Sequence, residues 1–122
     1  MDYKEYIKFQ RKKKNLSLTK AAKLMGISSS YLSSLENGMR PAPSNNLLIK
    51  TAEVLELNAK EEYQLFDLAA ESKNPPTLAD DLIEYIYKNP AIREMLRYSM
   101  ECKLTEKEWN TIISFIKKNY HY

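Results

Sequence analysis

The chain has 122 residues and a net charge of +3. Its 43% hydrophobic and 29% charged residues exclude a disordered or fibrous protein. The length indicates one compact domain, or a small domain with an accessory piece. Its two glycines are too few for the turns of a strand-rich fold, so we expect an all-α protein of helices joined by short loops. The only cysteine, Cys102, excludes an internal disulfide and a multi-cysteine zinc site, and the lack of a long apolar run or a signal-peptide pattern predicts a cytoplasmic location without membrane contact.

The apolar residues recur at helical spacing, and no segment shows the sustained alternation that is typical of a strand. The first predicted helix covers residues 3–14 and turns Tyr3, Ile7 and Phe9 toward a core. Its C-terminal end carries a run of basic residues that includes Lys13, and the helix dipole favours positive charge there.

Two short helices follow, separated by a tight turn. Ser17 is a good N-cap for the second helix, and Gly26 ends it, because the left-handed backbone of a helix C-terminus strains glycine least. Ser28 can cap the third helix, which Gly38 can terminate. Residues 40–43 must form a loop, since each of its two prolines restricts its own backbone and the residue before it.

Two further helices complete the first part of the chain. Ser44 opens the fourth helix, and the fifth covers residues 59–70. The apolar stripes of these two helices comprise Leu48, Ala52, Leu55, Leu65, Phe66 and Ala69.

An Asn-Pro-Pro break suggests how the chain is organised. It lies in residues 72–78, which we interpret as a linker between a first domain over residues 1–71 and a helical region over residues 79–122. Thr77 with Asp80 resembles a capping box and predicts the start of a sixth helix.

The last part of the chain carries two more helix starts. Asn89 and Pro90 supply a cap and an N1 proline for a seventh helix, and Thr105 with Glu108 forms the capping box of an eighth. The apolar side chains of this region exceed what a thin three-helix appendage can bury, so we expect them to dimerise; the alternative is that they pack back onto the acidic middle of the same chain. They are Leu82, Ile83, Ile86, Ile92, Met95, Leu96, Trp109, Ile112, Ile113 and Ile116.

Residues 16–38 carry the clearest functional pattern. Two short helices flank a Gly-Ile-Ser turn, with the small Ala22 where the helices approach each other. Ile27, Leu32 and Leu35 are spaced to lock the second of these helices against the first. A helix-turn-helix has these requirements, and its second helix enters the major groove of DNA.

A family resemblance extends this pattern over residues 7–68. Its anchor positions are Arg11, Leu16, Ser17, Ala22, Leu24, Gly26, Ile27, Ser28, Leu32, Leu35, Glu36, Asn37, Gly38, Pro43, Leu48, Ala52, Leu55 and Leu57. On these residues the chain resembles the Cro/phage-repressor (XRE) helix-turn-helix family. The resemblance implies a five-helix phage-repressor-like domain, followed here by a C-terminal extension of about three helices, and a sequence-specific regulator of transcription. It implies no cofactor.

The resemblance also implies roles for individual positions. The recognition helix would cover residues 28–37, and Arg11 and Glu36 match a partly buried ion pair that ties the first helix to the third. Because serine pairs with several base edges, we expect specificity to depend on water-mediated contacts or DNA shape. The residues placed against double-stranded DNA are Ser17, Ser28, Ser29, Ser30, Tyr31, Ser33, Ser34, Asn37 and Arg40.

Two positions depart from the family pattern. Leu18 stands where the family often has a glutamine that contacts phosphate, which puts that contact in doubt. Gln10 stands where an apolar residue is common, and we expect the neighbouring Phe9 to compensate by packing inward.

The charge distribution along the chain agrees with a DNA-binding surface in the N-terminal half. Residues 1–50 carry ten Lys or Arg and three Asp or Glu, whereas residues 51–102 carry five and eleven. A basic first half and an acidic middle favour DNA binding by the N-terminal half.

Function therefore has a leading and a second hypothesis. The first is a dimeric repressor that binds an inverted-repeat operator. The second is an antitoxin-type protein that neutralises a protein partner through its C-terminal helices and regulates its own promoter. An enzyme is disfavoured, because the one histidine, His121, is the penultimate residue and Cys102 lacks a histidine partner.

Overall fold

The computed structural model describes residues 1–121, which form eight helices and no strand. The all-α fold class predicted from the sequence is confirmed. None of these helices is both long enough and apolar enough to cross a membrane. The helices are α1 (Tyr3–Lys13), α2 (Leu18–Met25), α3 (Ser29–Glu36), α4 (Asn45–Val54), α5 (Ala59–Glu71), α6 (Asp80–Lys88), α7 (Pro90–Cys102) and α8 (Glu106–Asn119).

The chain divides into two compact units, Met1–Ile83 and the part from Glu84 onward. In the first unit, α1 packs against α3 and α5, α2 packs against α3 and α4, and α4 packs against α5. Helices this short are marginal in water by themselves, so burial of their apolar faces holds them in place. Leu32, Leu55 and Leu65 are the largest fully buried side chains of this core. The division into a domain over residues 1–71, a linker over residues 72–78 and a helical region over residues 79–122 stays a prediction.

The local signals around the predicted recognition segment are confirmed. The Ser17 hydroxyl accepts a hydrogen bond from the Lys20 N–H at 3.1 Å, which caps α2. Gly26 follows α2 in the left-handed conformation with φ +76°. The end of α2 and its turn into α3 therefore depend on residues with specific backbone preferences, which can be recognised in the sequence without knowledge of the tertiary fold.

The expectation that Phe9 packs inward is wrong. Phe9 is 49% exposed, whereas Gln10 is 4% exposed and shares a helix face with Tyr3 and Ile7. This face follows from the helical repeat, since positions three and seven residues apart lie on one side of a helix. The Gln10 Nε2 donates to the Glu61 carboxylate at 3.4 Å, so the buried amide has a hydrogen-bond partner.

The capping box predicted from Thr77 and Asp80 is also wrong. The helix begins only at Asp80, and the Thr77 N–H donates to the Ala70 carbonyl at 3.1 Å. Ala79 packs into the core of the first unit with 5% exposure. This anchor keeps the preceding residues in a connecting segment and delays the helix start.

The second unit contains α7 and α8 and the end of α6. Pro90 stands at the start of α7 as predicted, but the Asn89 side chain caps no N–H of that helix and donates to the Tyr85 carbonyl at 2.8 Å. The capping box of Thr105 and Glu108 at the start of α8 is confirmed. Local signals therefore placed the starts of both α7 and α8, although the predicted side-chain cap of α7 is absent.

Candidate nucleic-acid interface

The helix α3 presents one face to the surface because the other face is held in the core. Leu32 and Leu35 are each 2% exposed. The helix is only eight residues long, so these two anchors determine which of its side chains point outward. The outward face is made mainly of serine.

The predicted contact residues differ in exposure and in how their polar groups are used. The Ser28 hydroxyl accepts a hydrogen bond from the backbone N–H of Tyr31 at 3.0 Å. The Ser34 hydroxyl donates to the backbone carbonyl of Tyr31 at 2.6 Å. Ser28 is thus the N-cap of α3, and Ser34 uses its proton within the helix while its oxygen can still accept. The exposed members of the predicted set are Ser17, Ser28, Ser30, Asn37 and Arg40; the half-buried members are Ser29, Tyr31, Ser33 and Ser34.

A bidentate ion pair joins α1 to the end of α3. The Arg11 Nε donates to Glu36 Oε2 at 2.7 Å, and its Nη2 donates to Oε1 at 2.9 Å. The two side chains are only 11% and 6% exposed. The hydrogen bond to Glu36 raises the pKa of Arg11, which keeps the guanidinium charged.

The same arginine also fixes the chain just before α2. Its Nη1 donates to the Leu16 carbonyl at 2.9 Å, one residue before the N-cap Ser17. One side chain thus relates the start of α2 to the end of α3. Both of these helix ends belong to the predicted contact surface.

The loop after α3 folds back onto the last turn of that helix. The Met39 and Arg40 N–H groups donate to the Ser34 carbonyl at 2.9 and 3.2 Å. Gly38 makes this return possible with φ +80°, a conformation that other residues rarely adopt. Arg40 is exposed, and it forms no ion pair with another residue in the described part of the chain.

Two residues of α1 that the sequence reasoning did not assign to the site lie beside α3. Tyr3 is 4% exposed, and burial first, then the nearness of Tyr31 and Glu36, raises the pKa of its hydroxyl. The Lys4 side chain passes Gly38, with its Cδ 3.1 Å from the position that a Cβ would take on that glycine. Helical spacing predicts that Tyr3 is buried, but no local pattern relates Lys4 to a glycine this far along the chain.

Nothing in residues 1–121 resembles a metal site, since no group of three His, Cys, Asp or Glu side chains could hold an ion. Cys102 is exposed on α7. The chemistry that this surface offers is hydrogen bonding by serine and asparagine, together with positive charge at the loop after α3.

Sequence comparisons relate the chain to known helix-turn-helix proteins. A family model described as helix-turn-helix matches residues 7–61. The HTH-type transcriptional regulator SinR of Bacillus licheniformis is 34% identical over 108 residues, which cover 84% of this chain and 96% of that protein. A solved structure titled SinR protein/SinI protein complex is 25% identical, with 93% of each chain covered and a TM-score of 0.48.

Proposed function

The chain belongs to the XRE-type helix-turn-helix family of DNA-binding transcriptional regulators, and on this premise we propose that it is a dimeric repressor that binds an inverted-repeat operator in double-stranded DNA. The observation that carries the proposal is the serine face of α3. This face points outward because Leu32 and Leu35 are buried on the opposite side. It comprises the exposed Ser30 and the half-buried Ser29, Ser33 and Ser34. Arg40, which is exposed and unpaired within residues 1–121, flanks it.

Base reading on this surface would come from Ser29, Ser30 and Ser34, with Ser33 and Tyr31 beside them. A serine hydroxyl donates or accepts one hydrogen bond to several base edges, whereas the bidentate contacts of arginine or glutamine discriminate by about 1–3 kcal/mol each. Specificity then comes in large part from bridging water and from the shape of the DNA.

Phosphate contacts would position the recognition helix. Ser17 lies at the N-terminus of α2, where backbone N–H groups add to the side-chain contact. Asn37 is the C-cap of α3 and would contribute through its side-chain amide alone. Arg40 supplies charge next to the end of α3. The Arg11–Glu36 pair keeps these elements in register and does not itself contact DNA.

The second unit supports a dimer because its apolar side chains find little cover within that unit itself. Among the described residues, α6 and α8 bury none of their side chains and α7 buries only Ser99. The exposed fractions are 45% for Met95, 46% for Ile113 and 51% for Ile116. Each large apolar side chain gains about 1.5–3 kcal/mol when it leaves water, so the faces of these helices favour association.

A groove along α7 could bind apolar side chains of a second copy of the chain. It has a volume of about 450 Å³ and lies entirely within the second unit. Small side chains at Ala91 and Ser99 leave room beside Met95 and Leu104. Two chains on DNA would present two recognition helices to half-sites about one helical turn apart.

The second candidate function uses the same apolar faces for a different protein. An antitoxin-type regulator would cover its C-terminal helices with a toxin partner and bind its own promoter. The exposed side chains of α8 support this alternative as well as they support a homodimer. A single co-purified protein in equal amount with this chain would favour it.

The test is selection of bound duplexes from a random DNA library by the purified chain, with sedimentation of the complex formed on the selected sequence. We expect enrichment of an inverted repeat that carries two chains per duplex. Enrichment of a single half-site with one chain would overturn the dimer, and no enrichment at all would overturn sequence-specific binding.

A further inference from the structure

Lys4 lies at the end of the recognition helix although it belongs to the first turn of α1. Its side chain passes over Gly38, with Cδ, Nζ and Cε at 3.1, 3.4 and 3.8 Å from the position of a Cβ on that residue. Gly38 therefore serves two purposes: it adopts the left-handed turn after α3, and it leaves space for the stem of Lys4.

The first turn of α1 is firmly held, so the position of Lys4 is well defined. Tyr3 next to it is buried beside α3 with 4% exposure. The Asp2 carboxylate caps α1 by accepting from the Glu5 N–H at 3.0 Å. Lys4 is thus carried on a rigid helix start rather than on a free terminus.

The Lys4 ammonium is weakly engaged within the chain. Its one ion-pair partner among residues 1–121 is Asp2, at 3.7 Å, and the Lys4 side chain is 47% exposed. Asp2 already uses its carboxylate for the helix cap. The ammonium therefore has donors free for another anion.

Lys4 and Arg40 line one open groove together. The groove has a volume of about 540 Å³ and runs between the start of α1 and the loop after α3, with Tyr3 and Leu35 in its wall. Its mouth adjoins Gly38 and Met39, which directly follow the recognition helix. The groove is thus lined by two cationic side chains, and proteins neutralise the phosphates of a DNA backbone with lysine and arginine.

We propose that Lys4 and Arg40 together grip a phosphodiester of the DNA backbone beside the end of α3, so that α1 contributes a phosphate contact to the interface. The contact positions the protein and carries no sequence information. The inference rests on the proposed DNA-binding function, because it assumes that α3 lies against the DNA.

The test measures how the affinity for the selected operator duplex depends on salt, for the wild type and three variants. Lys4→Met removes the charge and keeps an unbranched stem over Gly38, while Lys4→Arg keeps the charge. Lys8→Met is the matched control, because Lys8 is exposed one turn further along α1 and does not line the groove. Thermal unfolding of each variant checks that the fold is intact.

We expect Lys4→Met to make the log–log salt slope shallower by about 0.9 for each chain bound, and to weaken operator and non-operator duplexes by the same factor. Lys4→Arg and Lys8→Met should keep the wild-type slope. An unchanged slope in Lys4→Met, or an equal loss in Lys8→Met, would overturn the contact. Failure of the proposed function is a separate result, since the wild type itself would then bind DNA without selecting any sequence.

A fourth variant, Asp2→Asn, should change the affinity for DNA in the opposite direction. Asp2→Asn keeps an acceptor for the Glu5 N–H and removes the negative charge 3.7 Å from the Lys4 ammonium. We expect this variant to bind DNA several-fold more tightly, because a carboxylate that repels phosphate and competes for Lys4 is gone. Weaker binding by a folded Asp2→Asn variant would contradict the proposal.

Discussion

The Arg11 guanidinium holds the Glu36 carboxylate through two parallel hydrogen bonds of 2.7 and 2.9 Å. These residues are 25 positions apart and lie on α1 and at the end of α3. Because both side chains are largely buried, the pair fixes the orientation of α3 relative to α1. The position of the serine surface of α3 therefore depends on a contact that lies outside that surface.

Arg11→Ala should lower the free energy of unfolding by about 3–5 kcal/mol, because it leaves the buried Glu36 carboxylate without its partner. Urea unfolding measures this loss. The double variant Arg11→Met with Glu36→Leu should be more stable than Arg11→Ala, since it removes both charges.

The control for this prediction is an exposed ion pair. Lys14 Nζ lies 3.3 Å from Glu56 Oε2, with side chains 37% and 77% exposed. Lys14→Ala should therefore change stability by less than about 1 kcal/mol. A loss in Lys14→Ala equal to that in Arg11→Ala would contradict a special role for the buried pair.

Ser30→Glu with Ser34→Glu should abolish operator binding, because two carboxylates on the outward face of α3 would meet the negative potential of DNA. Gel-shift titration gives the affinity, and circular dichroism checks the fold. The matched control, Lys60→Gln with Gln64→Glu, also lowers the net charge by two, but on exposed positions of α5. Operator binding by the serine double variant at wild-type strength would remove α3 from the interface.

Stability should fall at acidic pH partly through Glu61. Its pKa is lowered from 4.5, first by the backbone hydrogen bond from Asn58 and then by Lys13 and Gln10. A lowered folded-state pKa means that the stabilisation is present above the unfolded value and is lost as the pH falls through the folded one. Urea midpoints between about pH 6 and pH 3 should therefore fall more steeply in the wild type than in Glu61→Gln. Parallel curves would show that Glu61 contributes nothing.

If the chain dimerises as proposed, Ile113→Lys with Ile116→Lys should convert the dimer to a monomer, because it places two charges on the exposed apolar face of α8. Sedimentation equilibrium reports the mass. Asn110→Lys with Thr111→Lys adds the same charge at exposed polar positions of α8 and should leave the dimer intact. A double-isoleucine variant that keeps the dimer mass would show that these side chains lie outside the interface.

Local rules predicted the parts of the fold that depend on neighbouring residues. Ser17, Ser28 and Gly26 each satisfy a backbone requirement within a few positions, so the turn from α2 to α3 could be located from the sequence. Helical spacing likewise identified the buried faces of α4 and α5, with Leu48 and Leu65 buried.

Features that depend on tertiary contacts could not be predicted. The buried Gln10 has a hydrogen-bond partner because Glu61, 51 positions away, supplies an acceptor. Lys4 meets Gly38 because Tyr3 packs the first turn of α1 beside α3. Neither pairing follows from a periodicity, since each joins two elements whose separation is set by the assembled core.

The most direct measurement of the central claim is DNA cleavage by a reagent attached at residue 30. Ser30→Cys in a Cys102→Ser background gives one attachment site on the exposed face of α3, and Gln64→Cys in the same background gives a control on α5. If α3 of each chain reads the major groove, the residue-30 reagent cuts the selected operator in two clusters about one helical turn apart. Cuts outside the half-sites, or the same pattern from residue 64, would contradict DNA recognition by α3.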